Sequence, residues 1–446
     1  MKTDFKQIKK EIIDWYKTTY LNQKGIPYFK IDGITGKPIS NRTLISELGD
    51  YLPFLLYLGE KEYTKNQIAL VKAYFSKNIL LKKLSVPRGI PMHEALLYKL
   101  IPKHSESFEY TDLLLGLLEV YEQNKNKAIL KFADHVLNKA YSIFYKDGFL
   151  YDLYFPSFKM KLPAASSLSG MYVELLADFY RLTKNKKYAL MAQHLVDSWT
   201  KTEFFENYGL FSAYHAPSRI IRKLPLFKKY NSISKLNKHN TTMIAGILGL
   251  YQQTKDEKLL KIIKKWVWGL KTYFLNKDGI ADEVIEIKNN KKRVLWKAEI
   301  RNFAVIDLLS DIYETTKDKE CLILSEKNAK FWINQQTDIG LIPFNPNGSY
   351  SRFDSQTDMG VAFMKLHELT NKKIYRTAAE KLLKAQLKYH HTKYGYVERV
   401  NVKSGNIVDY AIETRFTALF LKLLLILEKN KKIYNDKKFY YLLRDR

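Results

Sequence analysis

The chain is almost without cysteine: Cys321 is alone among 446 residues. That excludes an intramolecular disulfide framework and any metal centre built from a cysteine cluster, and it fits a reducing compartment. Long apolar runs are missing too. The longest strongly apolar stretch, Phe416 to Leu427, is interrupted by Lys422 and is too short to span a bilayer. The opening residues, Met1 to Lys17, are amphipathic and charged, so they do not read as a signal peptide. The expected location is cytoplasmic, with no membrane partner. His-Glu-x-x-His, His/Cys metal spacing and a Gly-rich phosphate loop are all absent, so no metal and no cofactor is expected.

What the chain has is hydrophobic mass and positive charge. Hydrophobic residues make up 46% of it, with 32 Tyr and 24 Phe, enough to fill both a large core and a ligand cleft. Basic residues outnumber acidic ones by 74 to 46, a formal charge of +28. Such a surplus suits a polyanionic partner: nucleic acid, an anionic lipid surface or an acidic polysaccharide. It is equally what a lysine-rich proteome from an AT-rich genome produces. The lysines are spread over the whole chain and no nucleic-acid-binding motif accompanies them, so a nucleic-acid partner is not expected.

Length alone suggests two or three domains, but an internal repeat argues for a single domain over residues 1–446. A turn of the form Thr-Lys-Asn/Asp recurs at Thr183-Lys184-Asn185, Thr254-Lys255-Asp256 and Thr316-Lys317-Asp318, and in shorter form at Thr370-Asn371. Asn124 to Lys127 occupies the same place. Each turn leads into an amphipathic helix and then a loop with Gly and a hydrophobic residue: Gly148-Phe149, Gly209-Leu210, Gly279-Ile280, Gly340-Leu341 and Gly395-Tyr396. The markers return roughly every 55–70 residues, longer than the ~34–47 residues of tetratricopeptide or HEAT units.

The two helices of a unit differ in polarity. The first kind is apolar nearly all round, as in Phe303 to Leu309 or Phe416 to Leu427, and so is buried on every side. The second kind is one-sided: Leu259, Leu260, Ile263, Trp266, Val267 and Leu270 alternate with Lys258, Lys261, Lys264, Lys265 and Lys271. Buried inner helices alternating with amphipathic outer ones describe an all-α toroid, an (α/α)6 or (α/α)7 barrel. Inner helices are expected from near Ser46, Phe108, Ser167, Asn240, Glu299, Ser355 and Ala411. Outer ones are expected from near Tyr63, Asn126, Lys186, Asp256, Asp318 and Asn371. The helix Asp4 to Tyr20 has an outer pattern and could pack against the last inner helix.

Long loops precede the inner helices, so a cleft is expected at the inner-helix starts. All seven starts are polar. The candidate catalytic residues among them are Asp354, Glu413, Asp358, Asp112, Asp50 and His239. The candidate substrate-binding residues are Arg301, Arg352, Arg415, Trp296, Tyr350, Tyr410, Glu299 and Asn240. Glu47, Glu109, Tyr51, Tyr110, Tyr172, Ser166, Ser167 and Ser169 belong to the same set. Helix capping explains one or two polar residues per start. It does not explain arginines there, because cations oppose the dipole at an N-terminus. Carboxylates flanked by Arg and aromatic rings suit sugars: ring faces stack on pyranose C–H surfaces, and carboxylates accept hydroxyl hydrogen bonds. Two carboxyls about 5–5.5 Å apart would serve retaining hydrolysis, and about 6.5–9.5 Å inverting. Asp354 and Asp358 share one helical face, while Glu47/Asp50 and Glu109/Asp112 are three apart. Tyr350 to Asp358 is the densest polar–aromatic cluster, and Ile412 to Phe416 the next. His239 could move a proton near neutral pH or be a hydrogen-bonded structural histidine. The segment Ala213 to His239, with Arg219, Arg222, Lys223, Lys228, Lys229, Lys235 and Lys238, could be a basic lid or a solvated loop.

At Ser46-Glu47-Leu48-Gly49-Asp50-Tyr51 and Arg352-Phe353-Asp354, and in its hairpin period, the chain resembles the six-hairpin glycosidase superfamily and its seven-hairpin relatives. That group includes unsaturated glucuronyl hydrolases, seven-hairpin α-mannosidases, N-acylglucosamine 2-epimerases and uronate-modifying lyases and epimerases. The resemblance implies a carbohydrate substrate, neutral or anionic. Other users of this barrel fit less well. Lanthionine cyclases need Cys/His zinc ligands, and terpene cyclases need adjacent aspartates that this chain lacks. The expected function is a glycoside hydrolase using carboxylates as general acid and base. The alternatives are a sugar epimerase or uronate lyase using His239 and a Tyr, and a non-enzymatic glycan- or protein-binding barrel.

Overall fold

A computed structural model of the chain describes residues 4–22, 25–39, 48–77, 105–155, 159–161, 164–216 and 231–429. Ser46, Glu47 and Arg219 to Lys229 lie outside the described residues. Among the described residues helix accounts for 64% and strand for 14%, and their strands are short ladders within the loops rather than a closed sheet, so the class is all-α.

The hairpin begins at its turn. Thr254 Oγ1 donates to Leu250 O at 2.9 Å and accepts from Asp256 N–H at 3.3 Å, which stops the inner helix. Lys255 takes the left-handed conformation (φ 56°), and Asp256 Oδ1 caps the outer helix by accepting from Lys258 N–H at 2.9 Å. The same three steps recur at Thr183-Lys184-Asn185 and Thr316-Lys317-Asp318. The repeated tripeptide is therefore a stop, a reversal and a start, one residue for each.

Seven inner helices are present among the described residues: Leu48–Tyr57, Ser107–Asn124, Gly170–Thr183, Thr241–Thr254, Phe303–Thr316, Phe353–Thr370 and Thr414–Lys429. They start within a few residues of the expected positions. Their apolar runs are buried all round, as in Phe303 to Leu309. The outer helices bury one face only; in Glu257–Gly269 that face is Leu259, Ile263, Trp266 and Val267. Six outer helices follow the first six inner ones, and Phe5–Lys17 packs on Thr414–Lys429.

The chain divides into two compact units. In residues 1–67, 274–283 and 296–446, the helix Phe303–Thr316 packs on Phe353–Thr370. That helix packs on Thr414–Lys429, which packs on Leu48–Tyr57. In residues 68–273 and 284–295, Ser107–Asn124 packs on Gly170–Thr183, and the latter on Thr241–Thr254. This last pair approaches closely because each helix presents a glycine. A Cβ on Gly246 would lie 2.6 Å from Glu174 N, and one on Gly170 would strike the Met243 backbone.

A second repeated device ties the loops of Gly209, Gly279 and Gly340 to the next inner helix. Asn240 Oδ1 accepts from Phe211 N–H at 2.9 Å while its Nδ2 donates to Phe211 O at 3.0 Å. Asn302 clamps Ala281 in the same way, at 2.7 and 2.8 Å, and Gln356 clamps Ile342, at 2.9 and 2.7 Å. In all three the clamped residue stands two places past the marker glycine. The amide satisfies a buried backbone donor and acceptor that the irregular loop cannot pair itself.

Candidate active site

In the first unit, short ladders deliver polar residues to the inner-helix starts. Tyr350–Arg352 pairs with Arg399–Asn401, setting Arg352 opposite Arg399. Lys30–Asp32 pairs with Ala411–Glu413, setting Lys30 opposite Glu413. Three starts carry a carboxylate and an arginine two residues apart, and each pair is bonded. Arg301 holds Glu299 through Nε at 2.7 Å and Nη2 at 2.5 Å; Arg352 holds Asp354 at 3.1 Å; Arg415 holds Glu413 at 3.3 Å. The carboxylate supplies the negative charge that the helix dipole favours, and the arginine is carried by the carboxylate.

These pairs join into one network. Arg352 also reaches Glu398 at 3.5 Å; Lys30 bridges Glu398 at 3.0 Å and Glu413 at 2.9 Å; Arg415 reaches Asp50 at 3.6 Å. Burial opposes ionisation of Glu413, but Arg415, Lys30 and Arg352 outweigh it and hold its carboxyl below the ordinary range. Burial likewise opposes the charge on Lys30, and Glu413 and Glu398 outweigh it and raise its ammonium above the ordinary range. Charge alternates along the network, so its ionised members stabilise one another despite partial burial.

Aromatic rings alternate with the guanidinium groups. Arg301 lies 5.7 Å from the Trp296 ring and 5.6 Å from that of Phe344; Arg352 lies 5.4 Å from Phe344; Arg399 lies 5.5 Å from Tyr350. Phe344 and Tyr350 stack at 5.6 Å with planes 16° apart. Trp296 is 52% exposed and Tyr410 42%, so both offer open ring faces.

Below this surface lie two buried carboxyls. Glu299 is fully buried and Glu283 is 4% exposed. Oε1 of each makes no hydrogen bond. Burial, offset by Arg301 and reinforced by Glu299 and Asp282, pushes the Glu283 carboxyl up to about 8. Burial also raises Glu299, against the pull of Arg301 and Arg352.

The second unit has its own cluster. The ladder Ser105–Glu106 with Leu153–Phe155 and the ladder Ala165–Ser166 with Tyr214–His215 bring Glu106, Asp152, Ser166 and Tyr214 to the starts of Ser107–Asn124 and Gly170–Thr183. Burial pushes Asp152 up to about 7; Ser166 and Lys235 oppose that and Glu106 adds to it. His239 Nδ1 meets Ser167 Oγ at 2.9 Å, and burial, with Lys235 and Lys238 nearby, holds the imidazole well below its ordinary range. It is a neutral histidine at physiological pH. Lys238 precedes it with φ 60°.

The sequence candidates fall into place as follows. Asp354, Glu413, Asp50, Arg352 and Arg415 belong to the one network, and Glu299, Arg301, Trp296 and Tyr350 adjoin it. Asp358 is half-buried one turn beyond Asp354. Asp112 is half-buried in the second unit, as is the start of its helix. Asn240 spends its amide inside the fold, on Phe211, Ser234, Lys235 and Trp266. Four participants escape the sequence reading: Lys30, Glu398, Glu283 and Asp152. Three of them carry a common signal: Asp152, Glu283 and Glu398 stand three or four residues past the marker glycines Gly148, Gly279 and Gly395. A cavity of about 540 Å³ in the second unit, lined among others by Phe204, Tyr208, His215, Ser232 and Asn289, includes none of the candidates. Among the described residues no group of three or more His, Cys, Asp or Glu could hold a metal ion, and no helix is long and apolar enough to cross a membrane.

No protein-family model matches this chain, and no curated protein matches it in sequence. Solved structures do. It is similar to a D-mannose isomerase, with TM-score 0.61 at 10% identity over 96% of this chain and 98% of that one. It is similar to the cellobiose 2-epimerase of Bacillus thermoamylovorans, with TM-score 0.55 at 15% identity over 73% and 88%. The unsaturated glucuronyl hydrolase of Bacillus sp. GL1, responsible for the degradation of glycosaminoglycan, gives TM-score 0.51 at 11% identity over 72% and 86%. All three are α/α-barrel enzymes of the six-hairpin glycosidase superfamily, and at these identities the likeness is one of fold.

Proposed function

We propose that this chain is a carbohydrate-active enzyme, and specifically a glycoside hydrolase whose cleft carboxylates act as general acid and base. The observation that carries this reading is the Arg352 network: carboxyl and guanidinium groups paired at three inner-helix starts, interleaved with open aromatic faces. Guanidinium groups and carboxylates bind hydroxyls and acidic substituents through charge-assisted hydrogen bonds, while Trp296 and Tyr410 cover the apolar face of a sugar ring. Glu413, kept ionised by Arg415 and Lys30, suits a base that takes the proton of an attacking water. Asp354 accepts a hydrogen bond from Arg352 at 3.1 Å and, with it, orients the substrate at the bond to be cleaved. Arg301, Arg352 and Arg415 suit a carboxylated or sulfated sugar, and the fold neighbours include an enzyme whose name says glucuronyl hydrolase.

One observation favours a second reading. His239 is neutral and hydrogen-bonded at Nδ1 to Ser167. In the same unit Asp152, which like His239 feels the charge of Lys235, carries a carboxyl raised to about 7. Such a pair fits proton abstraction and return at a sugar carbon, the chemistry of an epimerase or isomerase. A glycan screen read by thermal shift and by reducing ends, on wild type and Asp354→Asn, separates the readings. Binding by both proteins with cleavage by wild type alone supports the hydrolase. Epimerised product, lost in His239→Ala and kept in Asp354→Asn, supports the second reading. No binding by either protein refutes the sugar reading altogether.

A further inference from the structure

We propose that Glu283 is the proton donor of the first unit's site, with Glu299 as the arginine-held carboxylate beside it; this rests on the hydrolase reading above. Glu283 stands two residues past Ala281, which Asn302 clamps, and its own N–H donates to Trp296 O at 3.0 Å, so its backbone is fixed on both counts. Its charged neighbours are Arg301, Glu299 and Asp282. Arg301 is committed to Glu299 through two hydrogen bonds, and its guanidinium lies 5.7 Å from the Trp296 ring and 5.6 Å from that of Phe344. Glu283 therefore has no arginine of its own.

A buried carboxyl kept for stability would have its oxygens bonded, since orphaned buried polar atoms cost about 1–3 kcal/mol. Here Oε1 of both Glu283 and Glu299 is buried and unbonded. Two carboxyls close enough to repel do not both ionise. Arg301 breaks the tie: its two hydrogen bonds favour the charge on Glu299, and Glu283, raised to about 8, keeps its proton at neutral pH. Glu413, in the same unit, is held in the opposite state by Arg415 and Lys30. Titratable groups driven apart in this way divide the acid and base roles between them.

The step balances without a cofactor. The Glu283 O–H passes its proton to the glycosidic oxygen as the bond from that oxygen to the anomeric carbon breaks, the electron pair going to the oxygen. Water bonds to the anomeric carbon and gives a proton to Glu413. The products are a reducing sugar and an alcohol, and proton exchange with solvent resets both glutamates.

Two measurements test this. The first is a titration of glutamate δ-13C resonances from pH 5 to 10 in wild type and Glu283→Gln. A resonance with a midpoint near 8 that is missing from the variant is the expected result; a Glu283 carboxyl titrating in the ordinary range overturns the proposal. The second compares 2,4-dinitrophenyl with phenyl glycosides of glucose, mannose and glucuronic acid. Dinitrophenolate leaves without protonation and phenolate needs it. Glu283→Gln should lose about 10²–10⁴-fold on the phenyl glycoside, less than tenfold on the dinitrophenyl one, and the alkaline limb of the pH profile. Glu283→Asp should recover part of the phenyl rate, which a folding defect would not allow. Equal loss on both substrates sinks Glu283 as the donor and leaves the hydrolase reading intact. If wild type cleaves neither substrate, the hydrolase reading fails and takes the donor role with it.

Discussion

Replacing Lys365 by Met should destabilise the protein strongly at neutral pH and much less in acid. Lys365 is 3% exposed in the middle of an inner helix. Its ammonium lies 2.5 Å from Asp307 Oδ1 and 2.5 Å from Asp311 Oδ1, both on the neighbouring inner helix. Burial opposes its charge, and the two aspartates outweigh burial and raise its pKa. Met keeps the volume and removes the ammonium that Asp307 faces in a site that is 3% exposed. Breaking a buried pair from one side costs about 3–5 kcal/mol. At about 2–4 °C per kcal/mol for a unit of this size, the melting midpoint falls by roughly 6–20 °C.

The pH dependence follows from the sign of each shift. In wild type the lysine's pKa is raised, so its contribution is complete below about 10.4 and constant from pH 5 to 8. In the variant Asp307 has lost its cation, and its folded pKa rises above the unfolded value of about 3.9. Folded protein then holds the proton longer, and stability falls as pH rises from about 4. The deficit should be small at pH 5 and full at pH 8. Adding Asp307→Asn and Asp311→Asn should restore most of the midpoint, because a buried ion cluster replaced whole costs little. Calorimetry at pH 5 and pH 8 on the single and triple variants measures all of this. A deficit under about 1 kcal/mol, or one equal at both pH values, would falsify the argument that Lys365 neutralises a buried carboxylate.

The other expectations are smaller. The Glu283 carboxyl is raised from 4.5 to about 8, so in wild type this group takes stability away as pH climbs through that window; Glu283→Gln should gain in melting midpoint relative to wild type from pH 5 to 8 and level off above. Asn302→Leu leaves the Ala281 N–H and C=O unpaired, and by urea unfolding should lose about 2–5 kcal/mol. Gly246→Ala forces a methyl to within 2.6 Å of Glu174 N and should cost about 1–3 kcal/mol, read from the same curves. Arg352→Gln removes one of the three cations holding Glu413 down, and should move the acid limb of the pH–activity profile up by about a unit.

Much of the fold was legible because helical hairpins are local. Thr254-Lys255-Asp256 stops, reverses and restarts the chain with bonds that reach four residues at most, so three letters of sequence suffice to place it. Inner and outer helices were distinguishable because Phe303 to Leu309 and Glu257 to Gly269 differ in how many faces are apolar, and burial follows that count. The arginines at inner-helix starts were recognisable as anomalies against the helix dipole. Their resolution, a carboxylate two residues away in each case, was also in the sequence, but at two of the three starts an extended ladder brings the carboxylate or the arginine to the helix.

The tertiary structure alone decided the rest. Lys30 meets Glu413 across a sheet register that joins residues 383 positions apart, and no local pattern specifies such a pairing. Glu283 and Glu413 are both glutamates. Burial drives the first to hold its proton, while the cations the fold places beside the second outweigh burial and drive it to lose its own. Helix, turn and burial pattern depend on near neighbours and were determined by the sequence read in short windows. Protonation state depends on desolvation and on charges brought from distant segments, and it exists only once the chain has folded.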